Sequence, residues 1–172
     1  MDIQIRAAKP TEYDELGEIT AQAYIQDDLL AFGESDWYLG ELRDVAKRAR
    51  SAEVLVATLG GEPIGTATYV PSTGGAMAEL SRPGESEIRM LAVAPEARGR
   101  GAGQALVQAC VDRARAAGDI GMVLSTQPVM RAAHRIYERL GFVRAPHRDW
   151  KPIPGEEFTL LTYELTLSPT RP

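Results

Sequence analysis

The chain has 172 residues, of which 44% are apolar and 25% charged, and a formal net charge of −5 at pH 7. That length suits one domain with a real hydrophobic core. The acidic balance argues against nonspecific binding of nucleic acid or anionic membranes over the whole surface, and it tolerates a cationic amine as substrate.

The first residues, with Ile3 and Ile5 between polar neighbours, alternate like a strand and lack the apolar block of a signal peptide. Lys9-Pro10 ends that strand. Thr11 with Asp14 approximates a capping box, and Tyr13, Leu16, Ile19, Ala23 and Tyr24 follow at helical spacing. Ser35 caps a second expected helix carrying Trp37, Leu42, Val45 and Ala46. Its charged face, Glu41, Arg43, Asp44, Lys47 and Arg48, reads as solvated surface. Residues 54–59 and 64–70 are strands joined at Gly60-Gly61, a hairpin signal. Residues 71–85 are rich in Gly, Ser and Pro without periodicity, which predicts a loop longer than ordinary connections.

A continuous apolar run from Met90 to Val93 follows, ended by Pro95, and then Gly99, Gly101 and Gly103 alternate with Arg98, Arg100 and Ala102. From Gln104 the pattern is helical, with Ala105, Leu106, Ala109, Cys110 and Ala114 near one face, and it stops at Gly118. Residues 122–124 form another buried strand. A helix with the stripe Val129, Ala132, Ala133, Ile136, Tyr137 and Leu140 comes next, closed by Gly141. Phe142 and Val143 open a strand. Residues 145–155 are a polar connection, and residues 158–167 are a last strand with Leu161, Tyr163, Leu165 and Leu167 on one face. Residues 1–167 are read as one domain and 168–172 as a disordered tail. The alternation of strands and helices predicts an α/β fold with a mixed sheet and helices on both faces.

A strand feeding a glycine-rich loop and a helix N-terminus is an anion-binding device. The first amides of a helix have no partner within it, and the helix dipole favours negative charge there. Glycine lets a phosphate approach the backbone, and Arg98 and Arg100 offer charged donors. The P-loop pattern fails, because Gly103 is followed by Gln104 and Ala105 rather than by Lys and Ser/Thr. The dinucleotide fingerprint fails as well, because no Gly-x-Gly-x-x-Gly is present. A plain glycine-rich turn with two solvated arginines is the alternative for the loop taken by itself.

The spacing that fits is Arg98-x-x-Gly101-x-Gly103, which resembles the Gln/Arg-x-x-Gly-x-Gly/Ala signature of the GNAT acyltransferase superfamily. A second block, Ala133, Tyr137, Gly141 and Phe142, resembles the family's Asn-x-x-Ala-x-x-x-Tyr-x-x-x-Gly-Phe segment, with Met130 at the asparagine position. The resemblance covers nearly the whole chain. It implies a GNAT-like, mostly antiparallel central sheet and acetyl-coenzyme A as cosubstrate. Its pyrophosphate would be held by Arg98, Gly99, Arg100, Gly101, Ala102 and Gly103. The backbone of Leu91, Ala92 and Val93 would pair with the pantetheine arm and supply a donor to the thioester oxygen. Met130 puts one family polar contact in question.

The same resemblance implies direct attack by a primary amine of a small molecule or peptide. Tyr137 would be the acid that protonates the coenzyme A thiolate, and Glu87, with Glu85 second, would be a water-mediated base. Without the resemblance, Tyr137 is a core tyrosine and Glu87 a solvated strand-end carboxylate. Trp37, Tyr38 and Trp150 are candidates for an acceptor pocket or for packing. No nucleophile elbow or Cys/His pair is evident, and His134 and His147 lie in no cluster with metal-ligand spacing, so no metal is expected. Cys110, the one cysteine, reads as a buried helix thiol and excludes an internal disulfide. No run approaches the ~20 apolar residues of a membrane span. The expectation is a cytoplasmic acetyltransferase without nucleic-acid or membrane partners, for which the family allows a homodimer. A noncatalytic acyl-coenzyme A sensor is the alternative.

Overall fold

The structure is a computed structural model that describes residues 2–167, so the tail expected over 168–172 lies outside the described residues. Seven strands form one sheet: β1 (Ile3–Ala7), β2 (Glu53–Leu59), β3 (Glu62–Val70), β4 (Glu85–Val93), β5 (Gly121–Thr126), β6 (Val143–Arg144) and β7 (Leu161–Thr166). Their order is β1-β2-β3-β4-β5-β7-β6. Every neighbouring pair is antiparallel except β4 and β5. A parallel pair requires a long crossover, and α4 (Ala102–Ala116) supplies it. This is the mixed, mostly antiparallel sheet expected.

Helices cover both faces. On one, α4 and α5 (Arg131–Arg139) pack Leu106, Val107, Cys110 and Tyr137 onto Leu55, Ala57, Leu124 and Tyr163. On the other lie α1 (Tyr13–Gln26), α2 (Tyr38–Arg43) and α3 (Val45–Ala49). There Leu16 and Val45 meet Val54 and Val56, and Leu30 and Leu42 meet Val70 and Met90. Central strands sandwiched in this way read as continuous apolar runs rather than as alternation.

Four local expectations are corrected. The second helix is two helices, because Asp44 leaves helical geometry (φ −86°, ψ 69°) and its side chain accepts the Lys47 amide at 3.1 Å, capping α3. Ser35 is not its cap: Asp36 accepts the amides of Tyr38 and Phe32, at 2.8 and 3.0 Å. Arg48 is not on a solvated face. It is buried, and its Nη1 donates to the Glu41 carbonyl at 2.7 Å. At α1 the chain enters through a short 3-10 turn, so the residue that reaches back is Glu12, accepting the Lys9 amide at 2.8 Å, and not Asp14. Arg6 grips the same carboxylate and holds its pKa down to about 2.

Two features of β4 position the site. First, Thr68 faces Arg89 while Thr66 faces Ala92, so Met90 and Leu91 together oppose Ala67 in a β-bulge. Met90 has φ +53°, a left-handed conformation that costs a side-chain-bearing residue about 1–2 kcal/mol. Burial of its side chain against Leu30, Leu39 and Val70 offsets that cost. Second, β4 pairs with β5 only over Glu85–Ile88, against Gly121–Leu124. Beyond Ile88 the two strands part, so the edge of β4 turned away from β3 has no strand partner. The paired end is pinned by Arg148, whose buried guanidinium bonds Glu85 at 2.9 and 3.0 Å, Glu164 at 3.3 Å and the Leu80 carbonyl at 3.0 Å.

Candidate active site

After Pro95 a 3-10 turn leads to Gly99 and Gly101, with φ +80° and +86°, and α4 begins at Ala102 with Gly101 as its N-cap. The helix starts two residues earlier than its apolar pattern indicates, because Ala102 and Gly103 are small and give no periodic signal. Among the described residues, no protein acceptor meets the amides of residues 99–104, and the first bond of α4 is from the Ala105 amide to the Gly101 carbonyl at 3.0 Å. Six amides without a protein acceptor among the described residues therefore lie at the positive end of a 15-residue helix. A Cβ on Gly103 would lie 3.1 Å from Ile136 Cδ1, so glycine there lets α4 approach α5.

The arginines divide. Arg98 pairs with Asp27 at the end of α1, at 2.6 and 2.9 Å, so it ties the loop across to α1 and is not the uncommitted donor expected. Its guanidinium and the carboxylate are both well exposed, so the pair adds little stability. Arg100 is exposed and has no polar side-chain partner among the described residues.

Two cavities meet where β4 and β5 diverge. One, of about 690 Å³, runs along Leu91, Ala92 and Val93 to Arg98, Gly99, Gly101, Ala102 and Gly103, with one face of α5, from Ala132 to Arg139, as its other wall. The other, of about 430 Å³, lies behind the bulge and holds Glu87, Arg89, Tyr137, Trp37, Tyr38 and Trp150. Tyr24, Leu29, Leu91 and Met130 line both. The structure thus brings together Tyr137 and Glu87 in one cavity, and the strand and loop residues in the other. Of the expected set, Arg100 and Glu85 line neither, and Glu85 is committed to Arg148 through both oxygens.

Tyr137 is 3% exposed, and its ring packs against Phe142 and Tyr163, with centroids 5.9 and 5.6 Å away. Its hydroxyl has no hydrogen-bond partner among the described residues. Burial pushes its pKa above the ordinary phenol value, so it stays protonated at neutral pH and has a proton to donate. Glu87 is 1% exposed rather than solvated. Its Oε1 accepts the amides of Glu79, Leu80 and Ser81 at 3.0–3.1 Å, folding the 71–84 loop onto β4. Its Oε2 has no partner among the described residues. Met130 accepts only a weak contact from the Thr126 hydroxyl, at 3.7 Å to sulfur. Cys110 is sealed in the core and its pKa is pushed up to about 12, which removes it as a nucleophile.

Several lining residues were not legible. Tyr24 reads as one more apolar position of α1. Glu79 sits in a loop without periodicity, yet pairs with Arg89 at 2.7 Å inside the cavity. An arginine within an otherwise apolar strand is the one signal that could have found that pair. Val129, expected on the α5 stripe, is 67% exposed in the turn before the helix. His134 meets the Gln127 carbonyl at 3.0 Å, and Gln127 donates to the Leu29 carbonyl at 2.7 Å, holding the end of α1 over the junction of the cavities. Among the described residues no group of three or more His, Cys, Asp or Glu could hold a metal, and no helix is long and apolar enough to cross a membrane.

An amide-lined mouth, an unpaired strand edge leading from it and a second cavity at the far end are the layout of a group-transfer domain. Residues 14–142 match the model of the acetyltransferase (GNAT) family, and the chain belongs to that family. Its fold is similar to that of the Salmonella typhimurium acetyltransferase yncA solved with acetyl-coenzyme A: TM-score 0.72, 21% identity, covering 96% of this chain and 94% of that one. It is also similar to ribosomal-protein-alanine N-acetyltransferase from Brucella melitensis, with TM-score 0.72 and 24% identity over 95% and 99% of the two chains. A GNAT-family acetyltransferase from Brucella melitensis in complex with acetyl-coenzyme A follows, with TM-score 0.64 and 22% identity over 99% and 92%. No curated protein matches the sequence significantly.

Proposed function

We propose that the protein transfers an acetyl group from acetyl-coenzyme A to a primary amine by direct attack. The observation that carries this reading is the unpaired, buried Tyr137 hydroxyl beside the junction of the two cavities. Two of the solved neighbours hold acetyl-coenzyme A, which supports that donor. The cleft suits it: six unpartnered amides for a diphosphate and an open β4 edge for amide groups of the pantetheine arm.

In this reading the amides of residues 99–104 and Arg100 hold the diphosphate. The open edge at Leu91, Ala92 and Val93 orients the thioester and donates to its oxygen as charge develops there. Glu87, through Oε2 and a water, takes a proton from the ammonium of the acceptor. The C–N bond then forms as the C–S bond breaks. Tyr137 gives its proton to the departing sulfur and regains one released from the new amide nitrogen. Free coenzyme A, the acetylated amine and one net proton leave.

Thiol release from acetyl-coenzyme A across a panel of amines tests this, with calorimetry of coenzyme A alongside. Micromolar binding and amine-dependent release are expected. Binding without transfer to any amine would favour the sensor function, and well-folded protein that does not bind coenzyme A would end both. In the same assay Glu87→Gln keeps an oxygen for the three loop amides but loses the proton acceptor. It is expected to lower kcat about 100-fold while coenzyme A affinity stays near wild type. Unchanged kcat would exclude Glu87 as the base.

A further inference from the structure

Resting on that reading, the geometry points to a primary ammonium carried on an aromatic or branched apolar body, without a carboxylate beside the amine, as the acceptor that fills the cavity behind the bulge. Its walls are Tyr24, Trp37, Tyr38, Trp150, Phe158 and Leu160. Rings at several heights offer both apolar contact and faces for a cation. The volume, about 430 Å³, is that of a small-molecule site.

Charge selects further. Four carboxylates line the cavity, Asp28, Asp36, Glu79 and Glu87, against one cation among the described lining residues, Arg89. Asp36 spends both oxygens on backbone amides. Glu79 Oε1 takes Arg89, and Glu87 Oε1 takes three amides. Oε2 of each is left without a partner among the described residues, and the Glu87 oxygen belongs to a side chain buried almost completely. Uncommitted carboxylate oxygens in a cavity with apolar walls call for a cationic donor.

Arg89 cannot serve as the receptor for an anion. Its Nε forms an ion pair with Glu79 at 2.7 Å, Nη1 donates to the Met77 carbonyl at 3.1 Å and Nη2 to the Tyr38 hydroxyl at 3.4 Å. A free amino acid would therefore bring its carboxylate to a region of surplus negative charge. A polyamine would satisfy the carboxylates, but its thin methylene chain would cover less ring surface than an aromatic or branched body and would desolvate further ammonium groups.

The test compares 2-phenylethylamine, phenylalanine and spermidine at saturating acetyl-coenzyme A, with calorimetric coenzyme A binding as the control. 2-Phenylethylamine is expected to exceed both others about tenfold or more in kcat/KM. Glu79→Gln should raise its KM about tenfold, leave coenzyme A affinity unchanged and narrow the gap to phenylalanine, because Arg89 loses its carboxylate. A merely structural Glu79 would not shift that preference. Trp37→Ala, at a side chain 65% exposed and so safe for folding, should raise the same KM about two- to fivefold. Equal or better turnover of spermidine or phenylalanine overturns the acceptor class and leaves acetyl transfer standing, as does coenzyme A binding with none of the three acetylated. Absence of coenzyme A binding overturns the reading beneath it.

Discussion

Tyr137→Phe is expected to lower kcat about 100- to 1000-fold while coenzyme A affinity and melting temperature stay near wild type. The ring is buried against Phe142 and Tyr163, and phenylalanine keeps that packing. The hydroxyl has no partner among the described residues, so its removal orphans no buried group. Only the leaving thiolate would lose something, since an alkyl thiolate departs unaided with a conjugate acid of pKa ~8.5 and gains from a positioned donor. Burial raises the Tyr137 pKa, so in the wild type the donor form should persist and give no alkaline limb below pH ~10. Steady-state kinetics from pH 6 to 10 with thermal denaturation as the fold control decides it. Unchanged turnover across that range would reduce Tyr137 to a packing residue.

Gly101→Asp is expected to weaken coenzyme A binding about 100-fold or more, at a cost in stability of about 1–2 kcal/mol for the left-handed backbone. Gly101 sits at φ +86°, and a Cβ added there would meet no atom within 4 Å. Aspartate is among the side chains that tolerate left-handed geometry and cap helices. The new carboxylate would bond the amides itself and repel a diphosphate. Loss of two charge-assisted bonds of about 1.5–3 kcal/mol each suffices for that factor. Gly101→Asn, neutral and similar in shape, should lose about tenfold or less. Calorimetry on both variants separates charge from bulk, and an unaltered Kd for Gly101→Asp would mean that the amides of residues 99–104 do not hold the phosphates.

Much of this architecture was legible because it depends on local chemistry. Strands and helices announce themselves through periodicity, and the mouth of α4 through Gly99, Gly101 and Gly103 after an apolar run. Errors fell where a single polar side chain outcompeted the pattern. Asp44 broke one expected helix into two by capping the second, and Glu12 displaced Asp14 because a 3-10 turn preceded α1. Arg48 was read as solvated because its burial depends on α2 folding back over it to present the Glu41 carbonyl.

The sequence by itself determined the family signature and the strand-loop-helix unit that offers amides to an anion, since each rests on residue type and short spacing, while the candidacy of Tyr137 and Glu87 came from the resemblance that this signature carries. Only the tertiary structure decided that Arg98 belongs to Asp27, that Glu87 anchors a loop with one oxygen and keeps the other uncommitted, and that Glu79 and Arg89 face each other in the second cavity. It alone revealed the left-handed Met90 and the parting of β4 from β5. These are relations between segments far apart in the chain. Burial and partner choice there depend on which surfaces the sheet order brings together, and no local pattern encodes that order.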